Sequence, residues 1–460
     1  MKCDNYIRQF EDMEKVVKIY HKRSNFISTI RLVFLVCAAI TLIIGVVDSN
    51  FVLFLFGTLF TVLFFVTVVY HKNVIDYENY ITARTHVLER YMMRFSDGWK
   101  NFPDTGEDFL SKDDTVAYDL DILGKNSLFQ FINCGNTIEG RKRLAKSLSK
   151  NTYEFPKNED IIKRNKAISE LMEDENFVLN FETLSIKMRD KHDKPLVRED
   201  NNFIKNCSDV SKKVPLVLRV LKVIMPLGLV GLLVGCLGFD LSYSVLAVYF
   251  IVALGTSWLT SSITNSVLMP LFSFSRGMEQ YIYMMDAIAT SEFKSELLVE
   301  LREDIKGNGN AFAGIRKLSA IGNAFNLRYN PIIHQFLNGT ILWDLWIAGA
   351  MEKWKKDYGI YVEKWIDAVA IMEELISLSV IGRTRDTTFS HLENTTKPEF
   401  HGKDMYHPLI ITENAISNSI NIKGETIVIT GSNMSGKTTF LRTIGMNLVL
   451  AYAGAPVCAS

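Results

Sequence analysis

Two pairs of long apolar runs stand out from an otherwise mixed pattern of apolar and charged positions. Leu32 to Val47 is almost wholly apolar, Asp48-Ser-Asn50 forms a polar tip, and Phe51 to Tyr70 is apolar again before His71-Lys72. At helical rise the second run covers about 30 Å, the thickness of a bilayer's hydrocarbon, and the first falls slightly short. The pattern predicts a transmembrane helical hairpin over 32–70. A second pair, Val223 to Phe239 and Leu241 to Leu259 around Asp240, predicts another within 214–259. Lys15, Lys18, Lys22, Arg23 and Arg31 precede the first pair, and Lys212, Lys213, Arg219 and Lys222 lie at the base of the second, while neither tip carries a cation. The positive-inside bias then puts both ends of each pair in the cytoplasm. An apolar stretch that starts this late and runs into a second one is not a cleaved signal peptide. Within the second pair, Gly231-x-x-x-Gly235 permits close helix packing in lipid, inside the hairpin or between protomers.

Between and after the apolar pairs the spacing is that of soluble helices. Residues 1–31 form a charged, partly helical cytoplasmic arm. Segment 73–211 begins with a helix from Asn73 to Lys100, which Phe102-Pro-Asp-Thr-Gly106 breaks. Segment 266–383 reads as a helix from Phe272 to Asp304, a loop at Gly307-Asn-Gly309-Asn310, a helix from Ala311 to Asn326 and then a long one. In the long one Ile347, Met351, Trp354, Tyr358, Tyr361, Trp365, Ala368, Met372 and Leu375 recur at alternating four and three, with Gly359 the weak point. That is a packing seam of about 42 Å, and at this spacing its aromatics are core and not a nucleic-acid stacking platform. Thr384 to Pro398 is loop-like and marks the boundary with 399–460.

Composition narrows the chemistry. Of the 460 residues, 51 are Lys or Arg and 51 are Asp or Glu, so no net field draws nucleic acid to the chain. Arg141-Lys-Arg143 is a small cationic run of the kind that is a solvated helix face. The six cysteines are scattered without a C-x-x-C, which argues against a disulfide framework or a zinc site and for a reducing compartment. No H-E-x-x-H occurs among the eight histidines.

The chemistry concentrates near the carboxyl end. Thr426-Ile-Val-Ile-Thr430 predicts a buried parallel strand, Gly431-Ser-Asn-Met-Ser-Gly436-Lys437-Thr438-Thr439 a phosphate-binding loop, and Phe440 to Leu450 a helix. The pattern G-x-x-x-x-G-K-[ST] turns backbone N–H groups inward around phosphate oxygens. Gly431, Ser432, Asn433, Met434, Ser435, Gly436, Lys437, Thr438 and Thr439 are therefore the candidate ATP-binding residues. Lys437 would reach the β- and γ-phosphates, the Thr438 hydroxyl would ligate Mg²⁺, and the helix N-terminus would add its dipole.

The residues inside the loop resemble the ATPase core of the MutS family of DNA mismatch-repair proteins, whose loop typically reads T-G-P-N-M-x-G-K-S-T; here Ser432 stands where proline is usual. His407-Pro408-Leu409 and Ala453-Gly454-Ala455-Pro456-Val457 are similar to that family's flanking signatures. Asp119 to Leu144, with Thr137-x-x-Gly140 between two helices, resembles the start of the MutS core, and Ile162 to Ile168 continues it. The resemblance covers roughly 105–210 and 266–460. It implies a mainly α chain with a C-terminal α/β part: a helical core, lever helices, and the start of an ABC-type P-loop ATPase completed across a homodimer. It also implies ATP and Mg²⁺ as cofactors and DNA mismatch binding as the family's function, while the apolar pairs give the expected setting, an integral protein of a bacterial inner membrane with its soluble parts cytoplasmic.

Parts of the family pattern are missing. No mismatch-reading domain, Phe-x-Glu wedge or clamp is visible, and a membrane hairpin interrupts the core instead. Ile341-Leu-Trp-Asp344 is not the acidic strand end that holds Mg²⁺, because its context is helical. The chain reads as a fragment or truncated frame that ends after the first helix of the nucleotide domain, so that only Lys437 of the catalytic set is present. The leading expectation is a membrane-anchored MutS-like ATP-binding protein, an ATPase when complete and dimeric. The alternatives are an ABC-exporter-like transporter half and a non-catalytic nucleotide-binding membrane scaffold.

Overall fold

The computed structural model describes residues 2–111, 114–149, 156–186, 202–274, 278–307, 310–393, 398–432 and 435–460. Two very long helices, α1 (Lys2–Val47) and α2 (Phe51–Arg94), run antiparallel from a turn at 48–50. Asn50 caps α2, its side-chain oxygen accepting from the N–H groups of Val52 and Leu53 at 3.1 and 3.3 Å, which satisfies two of the donors a helix start leaves open. Small residues let the pair close: a Cβ on Gly45 would lie 2.7 Å from the Phe54 nitrogen, and one on Gly57 2.6 Å from Leu42. The arm before the first apolar run is thus fully helical. Contacts with α2 hold its first part, among them His21 with Glu78 at 2.8 Å and the Tyr6 ring stacked on Tyr91 at 4.8 Å. At its foot the Lys2 amine donates to the carbonyls of Gly382 and Arg385, at 3.1 and 2.7 Å.

The helical core follows: α3 (Thr115–Asp119), α4 (Leu128–Ile132), α5 (Ile138–Leu148), α6 (Asn158–Glu173), α7 (Glu175–Ile186) and α8 (Asn202–Ser208). Thr137 caps α5, its hydroxyl accepting from the Gly140 N–H at 3.0 Å. Of the cations after it, Lys142 is exposed and Arg143 half-buried, as a solvated face requires, while Arg141 is not. Arg141 is buried and forks onto Asp104 at 2.7 Å, Arg143 pairs with Asp367 at 2.9 Å, and Lys142 reaches Glu139 at 3.4 Å. The Arg141 charge is answered inside the protein, and those of Lys142 and Arg143 by surface carboxylates.

The second apolar pair is α9 (Leu216–Gly238) and α10 (Ser244–Phe274). The two touch where the Tyr249 hydroxyl lies 2.9 Å from the Met225 carbonyl, and at the turn, where Gly235 faces Leu241. They do not pack along their length, and a Cβ at Gly231 would meet nothing within 4 Å. The glycine pair therefore does not close this hairpin. Among the described residues four helices, α1, α2, α9 and α10, are long and apolar enough to cross a membrane.

Beyond them lie α11 (Met278–Thr290), α12 (Glu296–Lys306), α13 (Ala311–Asn326), α14 (Pro331–Ile341), α15 (Trp343–Tyr358) and α16 (Val362–Thr384). Two expected helices are divided. The run expected over Phe272 to Asp304 comprises the end of α10, then α11, then α12. The long seam is α15 and α16 joined by a 3₁₀ turn over Gly359–Tyr361. A Cβ at Gly359 would sit 2.4 Å from the Cys207 carbonyl oxygen, so the break is where the end of α8 crosses against the backbone. The seam itself is core: Met351, Trp354, Trp365, Ala368, Met372 and Leu375 are buried, and the Trp354 indole donates to the Gly314 carbonyl at 2.6 Å.

After α16 come two antiparallel strands, β1 (Glu399–Met405) and β2 (Asn418–Lys423), and a last helix, α17 (Lys437–Ala453). The chain is mainly helical with one small sheet. The parallel strand expected over Thr426–Thr430 is not formed: the segment has no strand partner among the described residues, and Val428 is 79% exposed. An apolar β-branched run becomes a buried strand only with neighbours on both sides, and β1 and β2 pair only with each other.

Candidate functional site

Lys437 opens α17, so this helix starts three residues earlier than the pattern of apolar positions placed it. Gly436 precedes it with φ +85°, and a Cβ there would meet nothing within 4 Å. Glycine is needed for the left-handed backbone alone, not for space. The turn before it is closed by the Ser435 N–H on the Ser432 carbonyl at 3.4 Å. The Lys437 amine folds back over the loop, donating to the carbonyl of Gly431 and, at 2.5 Å, to that of Ser432. Ser432, Ser435, Thr438 and Thr439 are exposed, with Thr438 and Thr439 on the first turn of the helix. Asn433 and Met434 lie outside the described residues.

What results is a cationic mouth at a helix start: Lys437, the unpaired N–H groups of the first turn, and the Thr438 hydroxyl, all open to solvent. Such a start attracts anions, because its donors and dipole point outward. Among the described residues no group of His, Cys, Asp or Glu is arranged to hold a metal. Asp344 is engaged elsewhere, buried at the start of α15 with His334 at 3.1 Å and Arg328 at 3.5 Å.

The body of α17 is anchored to the core by residues to which sequence reasoning gave no role. Arg442 pairs with Asp121 at 2.5 Å and donates to the Asp119 carbonyl at 2.9 Å. Gly445 fits against Leu120. Asn447 donates to the Tyr406 carbonyl at 3.2 Å and accepts from the Cys458 N–H at 2.7 Å, tying the helix to both flanking segments. Gly454 ends it with φ +79°. There Arg164 of α6 donates to the Ala453 carbonyl at 2.7 Å and pairs with the buried Glu374 of α16 at 2.5 Å. Arg164 and Arg442 stand inside the quoted motifs, but nothing in their spacing says what they touch.

The flanking signatures also have physical roles. In Ala453-Gly454-Ala455-Pro456-Val457, Ala455 is buried, Pro456 lies against Gly382, and Val457 bridges to Thr388. His407 lies beneath α17, and its Nδ1 accepts from the Leu409 N–H at 3.3 Å. Burial, with the nearby Arg442 charge, lowers its pKa to about 4. At neutral pH it is an uncharged packing residue and not a cation.

No family model matches the chain. It is similar to endonuclease MutS2 of Staphylococcus saprophyticus, 30% identical over 151 residues covering 27% of this chain and 19% of that protein. It is also similar to endonuclease MutS2 of Staphylococcus haemolyticus, 34% identical over 93 residues, 17% of this chain and 12% of that protein. The corresponding protein of Staphylococcus aureus is 33% identical over 104 residues, 20% of this chain and 14% of its own length. The chain thus spans less than a fifth of the length of these relatives, and what the likeness carries is a distant MutS2-like relationship of part of the chain.

Proposed function

We propose that the chain is a membrane-anchored, MutS-like ATP-binding protein whose soluble parts face the cytoplasm, and that it is an ATPase when its nucleotide domain is complete and paired in a homodimer. The observation that carries this is the mouth at Gly436 and Lys437, where a left-handed glycine, a lysine and an exposed first turn meet at the start of α17. Their chemistry fits a triphosphate. Gly431, Ser432, Ser435 and Gly436, with Asn433 and Met434, would present the loop, Lys437 would exchange its two carbonyl acceptors for phosphate oxygens, and Thr438 would offer its hydroxyl to Mg²⁺. The negative charge of bound phosphates would draw Lys437 off the loop. The four apolar helices supply the anchor. DNA as the macromolecular partner is proposed from the endonuclease name of the relatives alone.

The test is titration of the detergent-purified chain with a fluorescent MANT-ATP, against Lys437→Ala. Binding by the native chain that weakens at least tenfold in the variant is expected. Equal binding by both overturns the assignment, and binding without turnover by the dimer favours the scaffold reading.

A further inference from the structure

We infer that a fifth element enters the bilayer: α14 with its flanking turns, as a re-entrant tip beside α9 and α10. This rests on reading α9 and α10 as membrane spans and is independent of the nucleotide site.

The position of α14 is set by close contacts with those spans. A Cβ at Gly339 would lie 2.2 Å from the Phe250 ring, and the Tyr249 hydroxyl lies 2.8 Å from the Thr340 carbonyl. Phe250 is six residues into α10, about 9 Å along its axis from the turn, so α14 reaches a depth where the spans meet hydrocarbon. Trp346, below it, has the Lys222 amine 4.7 Å over its ring, the aromatic and cationic pairing found where a span leaves the hydrocarbon. From Tyr329 to Trp343 the sequence has no Asp, Glu, Lys or Arg. The open face is mostly apolar, with Ile332 81% and Phe336 61% exposed and Tyr329 and Ile333 beside them, Gln335 being the exposed polar side chain among them.

Apart from the exposed Gln335, the polar groups of the tip find partners within the protein. The Asn330 side chain caps α14 through the N–H groups of Ile332 and Ile333, at 3.2 and 3.3 Å, and Pro331 removes another open donor. The Thr340 hydroxyl donates to the Phe336 carbonyl at 2.8 Å, the Asn338 oxygen accepts from the Asp344 N–H at 3.0 Å, and both indoles of Trp343 and Trp346 donate to carbonyls. His334 and Arg328 share Asp344 at the base. A segment in water has no need to settle its donors internally; one among acyl chains must. At 11 residues α14 is about 16 Å long, too short to cross, so the chain dips in and returns through Leu342, which adopts the left-handed conformation at φ +52°.

The experiment is lipid photolabelling. The full chain is reconstituted into vesicles of phosphatidylcholine and phosphatidylglycerol containing a phospholipid with a diazirine at its acyl terminus, irradiated, and its adducts mapped by peptide mass spectrometry. Adducts on Pro331–Ile341 at no less than half the yield on α9, and at least tenfold above the β1–β2 hairpin, are expected. If α9 and α10 are labelled while α14 stays at the level of that hairpin, because it lies in water or against a second copy of the chain, the inference is overturned. If α9 and α10 are unlabelled too, the membrane reading falls with it.

Discussion

At the Thr137-x-x-Gly140 turn, Glu373 occupies the space that a side chain at 140 would take: a Cβ there would come within 2.0 Å of its carboxylate oxygen. That carboxylate accepts from the N–H groups of Asn136 and Thr137 at 2.9 and 3.2 Å, and from the Thr137 hydroxyl at 2.5 Å. The motif was legible as a turn; its partner, more than two hundred residues downstream, was not. His407 is a second residue whose environment matters more than its type. Its pKa of about 4 lies below the ordinary 6.5, so between these values the unfolded chain binds a proton that the folded chain refuses. Its contribution to stability is therefore full above pH 6.5 and is lost as pH falls toward 4, by at most about 3 kcal/mol. In thermal melts of detergent-solubilised protein at pH 7.5, 6, 5 and 4, His407→Gln should lose stability less steeply than the native chain as pH falls. Parallel curves would show that His407 does not titrate differently on folding.

The elements most faithfully written in the sequence are those whose cause is local. Uninterrupted apolar runs gave α1, α2, α9 and α10, and the alternating four-three spacing gave the seam of α15 and α16. The division of that seam at Gly359 was visible only as a weak residue, because its cause is the Cys207 carbonyl approaching from α8. Gly359→Ala should accordingly cost about 1–3 kcal/mol, the range for overpacking against backbone that cannot turn aside. Gly322→Ala in α13, where a Cβ meets nothing within 4 Å, should be neutral or stabilising by up to about 1 kcal/mol through helix propensity. Melting temperatures of the two variants decide this; equal shifts would sink the explanation. The Thr426–Thr430 strand failed for the opposite reason: strand residues specify a preference, but the partners that realise it must come from elsewhere in the fold.

Taken whole, the molecule joins its nucleotide segment to its helical core through the buried face of α17, with Met446, Val449, Leu450 and Ala453, and through a set of polar ties that includes Arg164. It ties the end of α17 to Glu374, which is only 3% exposed at its side chain. Removing the arginine leaves a buried carboxylate without its cation, a change that typically costs about 3–5 kcal/mol. Arg164→Gln should speed hydrogen exchange in the last turn of α17 and in α16 around Glu374, while α1 and α2 near their turn exchange as before. Unchanged exchange at Glu374 would refute the coupling. The foot of α1 is tied by several side chains, its Lys2 amine on carbonyls at the end of α16, its Tyr6 hydroxyl on Arg383, and its Asn5 and Gln9 on Glu175. That helix is 46 residues long without a break, a stiff rod of about 69 Å, so a pivot of about 5° at the foot sweeps its far end by about 6 Å. Because α1 and α2 are packed together along their length, a tilt of the pair too small to disturb any single contact at the foot would arrive at their turn as a displacement of several ångströms.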